Sequence, residues 1–263
     1  EVVNNDEYLR TVKLQNAEGQ QFCGWVRVGH RPAENTLSVT VSESLLPVLP
    51  EVLARIKNLF DLYCEPKAVY ETLQVMNTLQ PGLCVLGTRL PGCFNVFEMS
   101  VRAVLGQQVT VKAASTLAAR LVAAYGTQVQ TGIEGLTHSF PAPAAILALG
   151  ENISGHLGKL GIISARANTI YQLARVLADE KNDFGFWGNP EEEMQKLQSI
   201  RGIGSWTAQY IAMRAMGWPD AFLPTDAGIK KALPDHTPKE LQALSEAWRP
   251  WRSYATVNLW NTL

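Results

Sequence analysis

LQSIRGIGSWTAQYIAMRAMGWPDAFLPTD, residues 197–226, decides the reading of this chain. An apolar helix end runs into Gly202-Ile203-Gly204, a new helix opens at Ser205, and Asp226 follows downstream behind Pro224 and Thr225. Neither glycine carries a side chain, so the N–H groups of Gly202 and Gly204 lie open to a phosphate. The positive end of the next helix favours the same anion. A carboxylate held near an anchored phosphate is a candidate for chemistry on a nucleotide.

Each residue here has a plainer reading beside the functional one. Leu-x-x-Ile-x-Gly-Ile-Gly is the helix-hairpin-helix pattern, with Thr207 placed to help grip a phosphate; it is also what a helical corner plugged by Ile203 would look like. Trp206 and Tyr210 share a helix face at i, i+4 and fit either a core or a base-binding platform. Asp226 is a natural N-cap, although Thr225 fits that place equally well. Its apolar approach, Ala221-Phe222-Leu223-Pro224, suggests a partly desolvated acid whose field on a developing cation would be strong. Gln107 and Gln108 interrupt a helix; they cap the break or enter a duplex from which a base has been drawn. In WRPWRSYATVNLW, Arg249 and Arg252 meet phosphates or, by default, pair with acids. One of Trp251 and Tyr254 packs, and Trp260 closes the segment.

Outward from this stretch, the chain divides in two. TVKLQ, QFCGWVRVG and TLSVTVS alternate with period two and predict strands over 11–15, 21–29 and 36–42. Residues 47–62 predict an amphipathic helix with Val52, Ile56, Leu59 and Phe60 on one face and Pro50 early. Beyond Glu65 the pattern is helical: 66–76, 94–105, 109–124, a start at Pro143, a linker at 155–161 into 164–179, a start at Asn189-Pro190, a capping box at Thr237-Glu240, and a last helix over 249–262. Residues 81–93 form a Gly/Pro loop. The expected fold is α+β: a small antiparallel sheet plus helix at 1–70, then an all-helical body at 71–263. In that body a subdomain at about 95–215 carries the hairpin at 197–209, and residues 71–94 and 216–263 form the remainder, with a cleft between.

The chain has 263 residues, with 23 Lys+Arg against 24 Asp+Glu for a net charge of −1. That argues against a protein that holds nucleic acid mainly by bulk charge, and leaves open both one that grips a few phosphates through main-chain donors and local arginines and an enzyme with no nucleic-acid role. The four cysteines are scattered without a Cys-x-x-Cys pair, which argues against a zinc or iron–sulfur site and for reduced thiols. No run is apolar enough to cross a membrane, and no signal peptide is visible. The expected setting is cytoplasmic.

Five segments in order carry a family resemblance: 102–109 (RAVLGQQV), Leu160-Gly161 with Arg166-Ala167, 202–208 (GIGSWTA), 223–226 (LPTD) and 248–255 (WRPWRSYA). The set resembles the helix-hairpin-helix DNA glycosylases, and within them the bacterial 3-methyladenine DNA glycosylase II family. The resemblance implies base flipping and monofunctional hydrolysis of the glycosidic bond of alkylated purines in double-stranded DNA, by a monomer. It implies Asp226 as the catalytic acid, Trp206, Tyr210 and Trp260 as the base pocket, and Gln108 as the wedge. No cofactor is implied, apart from a structural Na+ or K+ on the main-chain carbonyls of Gln198, Ile200 and Ile203. In strand-nicking relatives a lysine stands where this chain has Trp206. Ala227 stands where an aromatic is found in the best-known member, which leaves the pocket more open. Another lesion (uracil, hypoxanthine, an oxidised guanine) is the enzyme alternative, and a non-catalytic DNA-binding module is the other.

Overall fold

The structure is a computed structural model that describes residues 1–4, 6–178 and 189–263. Four antiparallel strands form the first unit in the order β1-β2-β3-β4: β1 (Val2–Asn4), β2 (Glu7–Gln15), β3 (Gln21–Arg31) and β4 (Thr36–Val41). The alternation works as the sequence predicts. Val12 and Leu14 of β2 and Val26 and Val28 of β3 point to one face, where Val52 and Ile56 of helix α1 (Leu49–Leu59) cover them. Each such side chain contributes roughly 1.5–3 kcal/mol by leaving water. Pro50 sits in the first turn of α1 as expected. The helix expected over 47–62 is shorter, Leu49–Leu59 behind a 3₁₀ turn at Glu43–Val48, and β3 runs on to Arg31. β1 is an added edge strand, too short to show a period, and β2 starts at Glu7 rather than Thr11.

The helical body follows: α2 (Pro66–Leu73), α3 (Val96–Leu105), α4 (Val111–Tyr125), α5 (Pro143–Leu147), α6 (Ile153–Gly158), α7 (Ser164–Leu177), α8 (Pro190–Ser199), α9 (Ser205–Arg214), α10 (Ala227–Ala232), α11 (Pro238–Leu244) and α12 (Arg252–Trp260). Asn95, Thr110, Asn189, Asp226 and Thr237 cap α3, α4, α8, α10 and α11 with their side chains, and Thr237 with Glu240 forms the expected capping box. α2 stops short of the expected 76; a 3₁₀ turn over Gln74–Thr78 replaces its end, where the Asn77 side chain accepts from the Cys84 N–H at 2.8 Å. The linker expected at 155–161 is largely helix, because Ile153 and Leu157 are buried and packing overrides the glycines. A two-strand ribbon, β5 (Thr127–Gln128) with β6 (His138–Ser139), was not expected. The predicted end of α7 at 179 lies outside the described residues.

Two apolar clusters fill the body. One draws on α3 to α9; the other joins α2, residues 83–90 and 221–223, and α10 to α12. Tyr210 and Trp218 pack against both, which marks the seam between them. The sheet unit is tied on by Arg10 of β2, whose guanidinium meets Glu98 of α3 at 2.7 Å and lies 4.3 Å over the Phe94 ring.

Candidate active site

The hairpin forms where α8 ends. Ile200 leaves helical geometry, Gly202 turns the chain at φ +96°, Ile203 is buried, and α9 opens behind Gly204. Gly202 is doubly constrained: the φ is left-handed, and a Cβ there would lie 2.1 Å from the Thr169 Oγ1. Gly204 differs, with φ −88° and nothing within 4 Å of an added Cβ. Nothing inside the protein requires that second glycine. The N–H groups of Gly202 and Gly204 have no acceptor among the described residues.

Gln107 and Thr207 are engaged inside the protein. Both were expected to meet DNA, yet the Gln107 amide nitrogen donates to the Gly202 carbonyl and the Thr207 hydroxyl, each at 2.9 Å, and Thr207 is buried. Arg166 of α7 donates to the Gln107 carbonyl. The two side chains brace the corner from within. Gln108 is the outward member of the pair, exposed at the tip of the α3–α4 turn with φ +53°.

Asp226 is the N-cap of α10 and the acid on which two indoles converge. Its Oδ1 accepts from the main-chain N–H groups of Gly228 at 2.9 Å and Ile229 at 3.1 Å, and from the Trp260 indole at 2.8 Å. Its Oδ2 accepts from the Trp206 indole at 3.0 Å. Asp226 is largely shielded, with 9% of the residue exposed. Trp206 stacks on Tyr210 at 5.2 Å and 8°, and Tyr210 lies 6.3 Å from Trp260 at a 48° tilt. The sequence therefore placed four residues that the fold does bring together, from three helices. Arg249 and Arg252 do not join them: both pair with Asp220 and Glu246. Trp248 is buried against Phe222, and Trp251 packs edge-on against Tyr254.

Sequence reasoning missed two residues. Gly228 leaves room for Trp260: a Cβ there would stand 2.7 Å from the indole Cδ1. Arg214, one turn beyond Tyr210, donates to the Tyr210 hydroxyl at 3.3 Å. The i, i+4, i+8 spacing of Trp206, Tyr210 and Arg214 was the available signal. Among the described residues no group of His, Cys, Asp and Glu could hold a metal ion. Burial pushes the Cys93 thiol up to about 12, which keeps it protonated and unreactive.

Comparison with known proteins gives the class first. Residues 101–250 match the HhH-GPD superfamily of base excision DNA repair proteins, and the chain belongs to that superfamily. Residues 1–95 match the AlkA N-terminal domain. The chain is 38% identical to DNA-3-methyladenine glycosylase 2 of Escherichia coli strain K12, over 88% of this chain and 78% of that protein. It is also 38% identical, over its full length, to the probable bifunctional transcriptional activator/DNA repair enzyme AlkA of Mycobacterium tuberculosis strain H37Rv, of which it spans 51%. Among solved structures, a 3-methyladenine DNA glycosylase from Archaeoglobus fulgidus superposes with a TM-score of 0.76 at 22% identity, covering 98% of this chain and 87% of that one. That likeness speaks for the fold.

Proposed function

We propose that this chain is a monofunctional DNA glycosylase that flips an alkylated purine, of the 3-methyladenine or 7-methylguanine type, out of double-stranded DNA and hydrolyses its N-glycosidic bond, leaving an abasic site. The observation that carries this is the Asp226 carboxylate, fixed by two indoles at the seam of the two helical clusters. Three donors occupy Oδ1 and hold the group against rotation, whereas Oδ2 takes one donor and keeps acceptor capacity. A purine alkylated at N3 or N7 is positively charged and leaves readily, so general-acid help is minor. The fixed carboxylate stabilises the oxocarbenium-like sugar and orients the attacking water, with little reorganisation at the moment of reaction. Trp206, Tyr210 and Trp260 line the pocket that receives the electron-poor base. Trp206 supplies no amine for a Schiff base, so no strand cleavage follows.

The N–H groups of Gly202 and Gly204 bind the phosphate, and Gln108 enters the gap left by the flipped base. The Gln198 and Ile203 carbonyls accept no hydrogen bond from the described residues, and that of Ile200 accepts one, from Ile203 at 3.0 Å. This donor-poor set fits a Na+ or K+ bridging the corner and the phosphate; no other cofactor enters this reading. The chain acts as a monomer on cytoplasmic, nucleoid DNA, and no helix among the described residues is long and apolar enough to cross a membrane.

Methylated duplex DNA incubated with the protein should release 3-methyladenine and 7-methylguanine, resolved by chromatography. Absence of any abasic product would reduce the chain to a DNA-binding module.

A further inference from the structure

Arg214 has no carboxylate partner among the described residues. Its Nε donates to the Pro91 carbonyl, its Nη1 donates to the Tyr210 hydroxyl oxygen, and its guanidinium carbon lies 5.7 Å from the Tyr210 ring centroid. It also lines a chamber of about 410 Å³ on the side toward the sheet unit. The acids on that chamber, Glu1 and Glu98, are taken by Arg102 and by Arg10 with Arg102, and Arg89 is spent on the carbonyls of Asp61 and Cys64. The charge on Arg214 is therefore uncompensated, and it is directed at one ring of the pocket.

We infer that Arg214 is a positioning residue that sets base selectivity through Tyr210, an inference that rests on the glycosylase reading above. With Arg214 donating to the Tyr210 oxygen, the hydroxyl hydrogen is turned away and finds no acceptor among the described residues. Tyr210 becomes a hydrogen-bond donor offered to the flipped base. A neutral purine lesion such as hypoxanthine has free ring-nitrogen and carbonyl acceptors for it. A base methylated at N7 or N3 has lost one acceptor and carries a positive charge, which the guanidinium behind Tyr210 opposes. Arg214 thus widens the range toward neutral lesions and works against cationic ones, which Asp226 and Trp260 serve.

The test compares kcat/KM for single 7-methylguanine and hypoxanthine lesions in one duplex sequence. Arg214→Met should lower hypoxanthine release about tenfold, the loss of one hydrogen bond, and leave 7-methylguanine release unchanged or raised. Arg214→Lys, which keeps the charge without the fork, should recover part of the ratio. Tyr210→Phe should shift the ratio the same way, and should add nothing to Arg214→Met. It decides the matter if the arginine variant does not fold. Equal losses on both substrates would reduce Arg214 to a prop and overturn the inference, as would a wild-type protein that releases the cationic base alone. If the wild type releases neither base, it is the glycosylase reading that fails.

Discussion

At the scale of single residues the site turns on how one carboxylate is held. Asn caps a helix as well as Asp, so Asp226→Asn retains the bonds from Gly228 and Ile229 to Oδ1 and with them the start of α10. It removes the negative charge and sets an amide N–H₂ against the Trp206 indole N–H, or against the other donors if the amide flips. The expected outcome is a folded protein with near-native affinity for abasic DNA and excision lowered by at least ~10²-fold; single-turnover kinetics with a binding titration check both halves. Gly228 offers the complementary case. Gly228→Ala changes no reacting group chemically but drives a methyl into the Trp260 ring and to 3.0 Å from the Asp226 Oδ1. Displacement of an indole by about 1 Å is enough to lower the rate by ~10²-fold while the fold stays intact. A variant at native rate would show that the Trp260 position is not needed. Asp226, Trp206, Tyr210 and Trp260 were picked out together only through the family resemblance, because an N-cap acid and aromatics at helical spacing also fit a plain cap and core. Gly228 and Arg214 were not, because one acts by lacking a side chain and the other by what its ring neighbour does.

At the scale of elements, the hairpin separates what the fold demands from what a ligand demands. Gly202 carries φ +96° and abuts Thr169, whose hydroxyl is tied to the carbonyls of Ala165 and Arg201 and cannot easily retreat. Gly202→Ala should cost at least about 1–2 kcal/mol of stability from the left-handed backbone alone, seen as a lowered Tm. Gly204→Ala should fold at least as well as the native chain, since its φ is ordinary and its surroundings are open. It should nonetheless weaken duplex binding, because the methyl stands where a phosphate approaches. Equal DNA affinity for Gly204→Ala and the native protein in a fluorescence titration would place the phosphate elsewhere. The hairpin, its flanking helices and their caps were readable because glycine, Asn-Pro and capping-box signals are local. β1, the β5–β6 ribbon and α6 were not, since two or three residues show no period and burial alone makes a helix of a Gly-containing segment. The inward turn of Gln107 and Thr207 was illegible for a different reason: it depends on a contact between residues far apart in the chain.

At the scale of the whole molecule, the sheet unit is joined to the catalytic body through a nearly dry ion cluster. Arg10 and Glu98 each leave 9% of their side chain exposed, Glu98 also pairs with Arg102 at 2.9 Å, and Thr11 and Lys13 add hydrogen bonds to the β5–β6 ribbon. Burial by itself would raise the Glu98 carboxyl, but the guanidiniums of Arg10 and Arg102 outweigh it and hold the group below its ordinary 4.5. A carboxylate lowered in the folded state stabilises fully above that ordinary value, and the contribution is lost as pH falls through the folded value. Glu98→Gln leaves Arg10 buried without a counter-charge and should cost about 3–5 kcal/mol at neutral pH, a drop in Tm on the order of 10 °C. Arg10→Met combined with Glu98→Leu should recover most of that, because two apolar side chains of similar volume need no partner. In thermal melts between pH 7 and 3, the native protein should lose stability more steeply than Glu98→Gln once the pH passes below 4.5, and the two curves should converge. Parallel curves would mean that Glu98 does not titrate with folding, and that the sheet unit is held to the body by packing around Phe94 rather than by charge.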